Sequence, residues 1–197
     1  MANALNPFGF QALRHASGGE YSRINQYTLA AGYATSLYEG DVVKSSGGNV
    51  ALAAPGDAIL GTFKGVEYIE PDGTIKFDNK WRASTATRAG EKIVVHVQDD
   101  AGLTFKVQTN ATVNYADRGK FVDLVAAAGD ALTGRSKMAV GAPGGAASQY
   151  QIMRVLDGEP MLIAGNVVGM PTDGQYAVLE VKAVKHERSG AAAGIAV

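Results

Sequence analysis

The sequence predicts an all-β protein, and three observations carry that prediction. First, short runs alternate apolar and polar residues. Leu103, Phe105 and Val107 alternate with Thr104, Lys106 and Gln108, the period of a half-buried strand. Second, a glycine followed by an acid recurs ahead of short apolar runs, in YEGDVV, APGDAIL, RAGEKIV and AAGDALT. Glycine reaches positive φ at little cost and the acid binds nearby backbone N–H groups, so these read as turns. Third, no stretch sustains a helical period with caps at both ends.

Taken in chain order, the first element is NPFGFQALRHASGG, residues 6–19, with Phe8 and Phe10 around a glycine and Arg14 and His15 behind them. It lacks the cationic start and apolar run of a signal peptide, and it is too short and polar to span a bilayer. An extended N-terminal arm is expected over 1–19, followed by a β-rich body over 20–188. Within the body, KIVVHVQDD and GLTFKVQT are expected to form a hairpin, with Asp99, Asp100, Ala101 and Gly102 in the turn. The alanine-rich stretch after Phe121 is the best helix candidate, cut short at Gly129. GAPGGAASQ, 141–149, is expected to be an exposed loop.

Near the end, YAVLEVKAVKHE places Ala177, Leu179, Val181 and Ala183 on one face of a strand, with Glu180 and Lys182 on the other. A flexible Gly- and Ala-rich tail is expected over 189–197. AAPGDAILG at 53–61 and AAAGDALTG at 126–134 read either as a duplicated unit or as two good turn sequences.

Composition narrows the function. The 197 residues suit one domain, or one domain with an elaborated end, and can bury a real core. With 18 Lys+Arg against 19 Asp+Glu the net charge is -1, so no basic excess points to nucleic acid and no basic amphipathic segment points to a membrane. There are no cysteines, which excludes disulfides and thiolate metal sites. Charged residues make up 19%, below the usual quarter, as expected when much of the surface lies against partners.

The search for chemistry predicts no enzyme, metal or cofactor. His15, His96 and His186 stand far apart, with no pair at metal-ligand spacing. ADRGKFVD lacks the upstream glycine and following hydroxyl of a phosphate loop, and no nucleophile elbow occurs. Asp99 and Asp100 are adjacent and would diverge on a strand, so the turn reading is preferred to a carboxylate pair. Trp81, the single tryptophan, is expected to anchor the core with Phe77 nearby, and is also the best candidate for stacking a sugar.

The stretches MANALNPFGFQALRHASGG, GYATSLYEGDVVK and NVALAAPGDAILGTFKGVEY resemble a family of tailed-bacteriophage capsid decoration, or cement, proteins. These open with Pro-Phe-Gly-Phe and carry a basic residue a few positions on. The similarity covers the arm and about the first third of the chain, with a weaker echo in VLEVKAVKHE and none over 110–175. It implies a small barrel or tulip-like sandwich on the outer capsid surface of the virion. The expected partners are the major capsid protein and further copies of the chain, in a trimer rather than a dimer. Carried onto this sequence, the partner-binding residues are Pro7, Phe8, Phe10 and Arg14. Either Phe8 and Phe10 enter grooves on a neighbouring subunit, for about 1.5–3 kcal/mol per buried ring, or both cap the chain's own barrel. The alternative is a carbohydrate-binding surface module that uses Trp81 and Tyr68.

Overall fold

The computed structural model describes residues 4–19, 23–144, 147–156, 161–163, 166–168 and 176–189. The tail expected over 189–197 lies outside these residues apart from Ser189. Strand dominates, and the single helical turn among the described residues is the 3-10 turn Tyr115–Asp117.

Two antiparallel sheets form most of the body, alongside three two-stranded sheets among the described residues. One has five strands in the order Gln11–His15, Leu103–Gln108, Val178–Ala183, Tyr150–Val155 and Phe121–Val122. The other runs Ile24–Leu29, Ile93–Gln98, Gly61–Ile69, Val42–Ser46 and Asn49–Leu52, and Ile75–Asp78 pairs with the far end of the long strand Gly61–Ile69. The second sheet curls until Thr28 Oγ1 donates to Gly48 O at 3.4 Å, joining its two ends by a side chain. Among the described residues no backbone ladder closes it, and the body is a packed all-β sandwich rather than a closed barrel.

The body holds two cores, each drawn mainly from one sheet. Leu103, Phe105, Val107, Leu179, Val181, Tyr150 and Ile152 form the first; Leu29, Val43, Phe63, Val95, Val97 and Trp81 belong to the second. Leu52 packs against both. The alternation read from the sequence is what buries these residues, because a period of two turns every second side chain inward. Ala177, Leu179, Val181 and Ala183 are all buried, as expected.

Several local expectations are corrected. Ile93–Gln98 and Leu103–Gln108 do not pair: the first belongs to the six-stranded sheet, the second to the five-stranded one, and Asp99–Gly102 carries the chain between sheets. The stretch after Phe121 is not helical but forms Phe121–Val122 and Leu124–Val125, followed by coil at 126–129. Leu124 and Val122 are buried, and alternation over so short a run serves a strand better than a helix. The arm expected over 1–19 contributes Gln11–His15 to the body as a sheet edge.

The glycine–acid turns largely adopt the expected conformation: Gly40, Gly56 and Gly90 hold positive φ, and Gly129 does not. The acids of the two similar stretches bond differently. Asp57 accepts the preceding Ala54 N–H at 2.7 Å, whereas Asp130 accepts the following Leu132 N–H at 2.8 Å. Of the loop expected over 141–149, Gln149 is instead fully buried and bonds Leu124 N–H and the carbonyls of Ala54 and Asp57.

Asp41, just after Gly40, shows what such a turn acid costs when it faces inward. It is buried, its Oδ2 accepts Tyr38 N–H at 2.8 Å, and burial pushes its carboxyl up from 3.8 to about 6 despite help from Ser136 and Tyr38. A raised carboxyl favours the native state while protonated, so this contribution is complete below about pH 4 and is lost as pH rises through about 6. The displacement corresponds to about 3 kcal/mol. Asp41→Asn should therefore gain on the wild type by up to that amount between pH 4 and 7 and level off above. Urea unfolding across this range checks it; a pH-independent difference contradicts it.

Candidate interaction site

The N-terminal segment is laid along the strand Leu103–Gln108 by its backbone. Asn6 N–H donates to Gln108 Oε1 at 2.9 Å and Gln108 Nε2 donates to Ala4 O at 2.9 Å. Pro7 and Phe8 are half-buried, and Lys106 Nζ lies 5.8 Å from the centre of the Phe8 ring. Gly9 then turns the chain at φ +75°, where a Cβ would come within 2.5 Å of Ser136 Cβ. Only glycine satisfies both the angle and the approach.

That turn drives Phe10 inward. It is 1% exposed, its N–H donates to Gly40 O at 2.9 Å, and its ring stacks on Tyr150 at 4.9 Å and meets Phe105 edge-on at 6.2 Å. The expectation that Phe10 enters a neighbouring subunit is corrected here. Its ring completes this chain's own core and has no face left for a partner. Phe8 keeps a partly exposed ring.

Beyond Phe10 the strand Gln11–His15 pairs with Leu103–Lys106, with one irregularity between Ala12 and Arg14. The extra residue, Leu13, points outward at 43% exposed. Arg14 turns the other way, and its Nε and Nη2 donate to the two oxygens of Glu180 at 2.8 Å each. Glu180 is 1% exposed and has Arg154 Nη1 at 4.0 Å. Arg14 therefore neutralises a buried carboxylate, and part of its guanidinium stays open to solvent.

A second cluster carries charge that the sequence reading placed in a simple turn. Asp99 is almost fully buried and accepts Asn25 Nδ2 at 2.8 Å on each oxygen, together with the Tyr27 hydroxyl. Arg188 Nη1 pairs with it at 2.9 Å, and Arg188 Nη2 donates to Tyr27 Oη at 2.6 Å. Burial, and then the hydrogen bond to Asp99, pushes the Tyr27 phenol up to about 12. Beside it, buried His186 accepts Arg188 N–H on Nδ1 at 3.1 Å, and burial lowers its pKa. No local motif could have found this cluster, because its members come from three distant parts of the chain.

The remaining candidates stay apart. His15 meets Ser17 and Asp100, His96 is half-buried in its strand, and His186 lies in the Asp99 cluster. No group of three metal-binding side chains forms among the described residues. Trp81 is fully buried, its indole N–H donates to Tyr33 O at 3.0 Å, and Tyr68 packs edge-on against it at 5.6 Å. The core expectation holds for Trp81, which offers no face to a sugar. Phe77, expected beside it in the core, is 70% exposed. No protein-family model, curated protein or solved structure matches the chain.

The two rings of the opening motif should thus behave differently. Phe10→Ala should lower stability by about 3–5 kcal/mol, the range for deleting a buried ring. Phe8→Ala should cost less than about 1 kcal/mol, as for a surface change. Equal losses in chemical denaturation would contradict this division.

Proposed function

We propose that the protein is a structural component of a tailed-phage virion that decorates the outer capsid surface as a homo-oligomer and bridges neighbouring major capsid subunits. Among sources of support, one structural observation carries most weight: an apolar run along a free sheet edge. Leu5 is 51% exposed, Phe8 is half-buried and Leu13 is exposed, all beside a strand that pairs on one side only among the described residues. An unpaired edge flanked by apolar side chains is a ready surface for strand addition by another chain. The resemblance of the opening motif to capsid decoration proteins points the same way, and it favours a trimer.

In this reading Phe10 and Arg14 hold the segment on its own body, and Leu5, Phe8 and Leu13 face the capsid. Each contact is worth at most about 1.5–3 kcal/mol before ordering costs. Many copies fixed on one shell make such contacts act together. The net charge of -1 leaves burial, rather than ion pairing, as the main attraction.

Particles without the protein should lose integrity at lower temperature, and adding it back should restore them. The triple variant Leu5→Ser, Phe8→Ser, Leu13→Ser should melt like the wild type yet restore little. Particles equally heat-stable with and without the protein would overturn the cement reading.

A further inference from the structure

We propose that a cavity beside the N-terminal strand is a binding site for a carboxylate. The cavity has a volume of about 230 Å³, and its lining includes Arg14, His15, Thr104, Arg118, Arg154 and Glu180. Arg14 and Arg154 lie 2.8 and 4.0 Å from the Glu180 carboxylate, and Arg118 lines the same cavity.

The floor is already built. Glu180 is held by the bidentate pair with Arg14, and Thr104 Oγ1 donates to Arg14 O at 3.0 Å, fixing the backbone that carries the guanidinium. The pair engages Nε and Nη2 of Arg14 and leaves Nη1 outside it. A guanidinium has five N–H donors, so Arg14 keeps donors for a second oxyanion, and its side chain is 44% exposed.

Arg118 also lines the cavity. Its side chain is exposed and has no hydrogen bond or ion pair among the described residues. The acid next to it in sequence, Asp117, is already engaged by Lys120 Nζ and Asn114 N–H, each at 2.7 Å. The backbone under Arg118 is nevertheless fixed. Arg118 N–H donates to Tyr115 O at 3.2 Å and Gly119 N–H to Ile152 O at 2.8 Å. An unpaired guanidinium carried on a fixed turn shares this cavity with one whose fork is already locked, so both can donate to a single anion.

The chemistry selects the ligand. Guanidinium forks match the planar carboxylate in two-point contact. Glu180 at the floor repels any anion, and each carboxylate group that enters carries a single charge, whereas a phosphate group concentrates more than one. The volume suits the end of an acidic side chain or a small dicarboxylate. This inference does not depend on the capsid reading, since any carboxylate of that size would serve.

The test is titration of the whole protein, followed through the Arg Nε–Hε NMR signals, with succinate, the peptide acetyl-Glu-Glu-Glu-amide and inorganic phosphate as probes. Signals of Arg14 and Arg118 should shift together and saturate with both carboxylate probes. Arg118→Ala should weaken binding about tenfold, the worth of one charge-assisted contact, with an unchanged melting temperature. Arg118→Lys should recover part of the loss. A peptide that binds more tightly than succinate assigns the site to an acidic segment of a partner protein; equal or tighter succinate binding assigns it to a small free carboxylate. Absence of saturable shifts, undiminished binding by Arg118→Ala, or phosphate binding as tightly as the carboxylates would overturn the proposal.

Discussion

Four residues, Asp99 to Gly102, carry the chain from one sheet into the other, and the two cores and the N-terminal strand take their positions from that crossing. On the six-stranded side, Gly61 lies so close that a Cβ there would stand 2.1 Å from Gln98 O. At the other end of the crossing, Gly102 meets His15, where a Cβ would come within 1.9 Å of Nε2. Between them Asp99 is buried with a full set of partners: Asn25 and Tyr27 from the strand Ile24–Leu29, and Arg188 from the segment after Val178–Ala183. Removing one partner of a buried ion pair leaves an uncompensated charge and costs about 3–5 kcal/mol. Early, middle and late parts of the chain are thereby tied at one point.

The same crossing sets the interaction site. Ala16 N–H donates to Gly102 O at 2.8 Å, and His15 pairs with Leu103, so the edge strand is registered from the crossing outward. From that start, the irregularity at Leu13 decides which side chains turn in. Arg14 reaches Glu180, Leu13 faces outward, and Phe10 seats against Tyr150. Phe10 and Arg14 are thus two anchors that hold the apolar edge in one conformation. A partner binding that edge would find it already ordered, which lowers the entropic cost of association.

How much of this was legible in the sequence depended on whether the deciding contact was local. Alternation at Leu103–Gln108 and at Ala177–Ala183 was readable because one face of each strand meets a core. The turn glycines Gly40, Gly56 and Gly90 were readable because left-handed backbone selects glycine. The crossing was read as a hairpin because DDAG is good turn chemistry for either, and the strands that Ile93–Gln98 and Leu103–Gln108 really join lie far away in sequence. Phe10 failed for a related reason: the pattern Phe-Gly-Phe says that a ring will be buried, but not in whose core. Asp99 looked like a turn residue because nothing nearby announces Asn25, Tyr27 or Arg188. Arg14 was singled out for a partner, and its first duty proved to be Glu180, also invisible at a separation of 166 positions.

The Asp99 crossing should couple the two sheets into one cooperative unit. Native-state hydrogen exchange on the wild type and on Asp99→Ala tests it most directly, read at the amides of Ile93–Gln98 and Leu103–Gln108. In the wild type the slowest amides of both strands should open with one shared free energy. In the variant the two sets should separate, with one sheet opening well before the other. Two strands that remain equally protected in Asp99→Ala, or that already differ in the wild type, would show that the crossing does not couple the sheets.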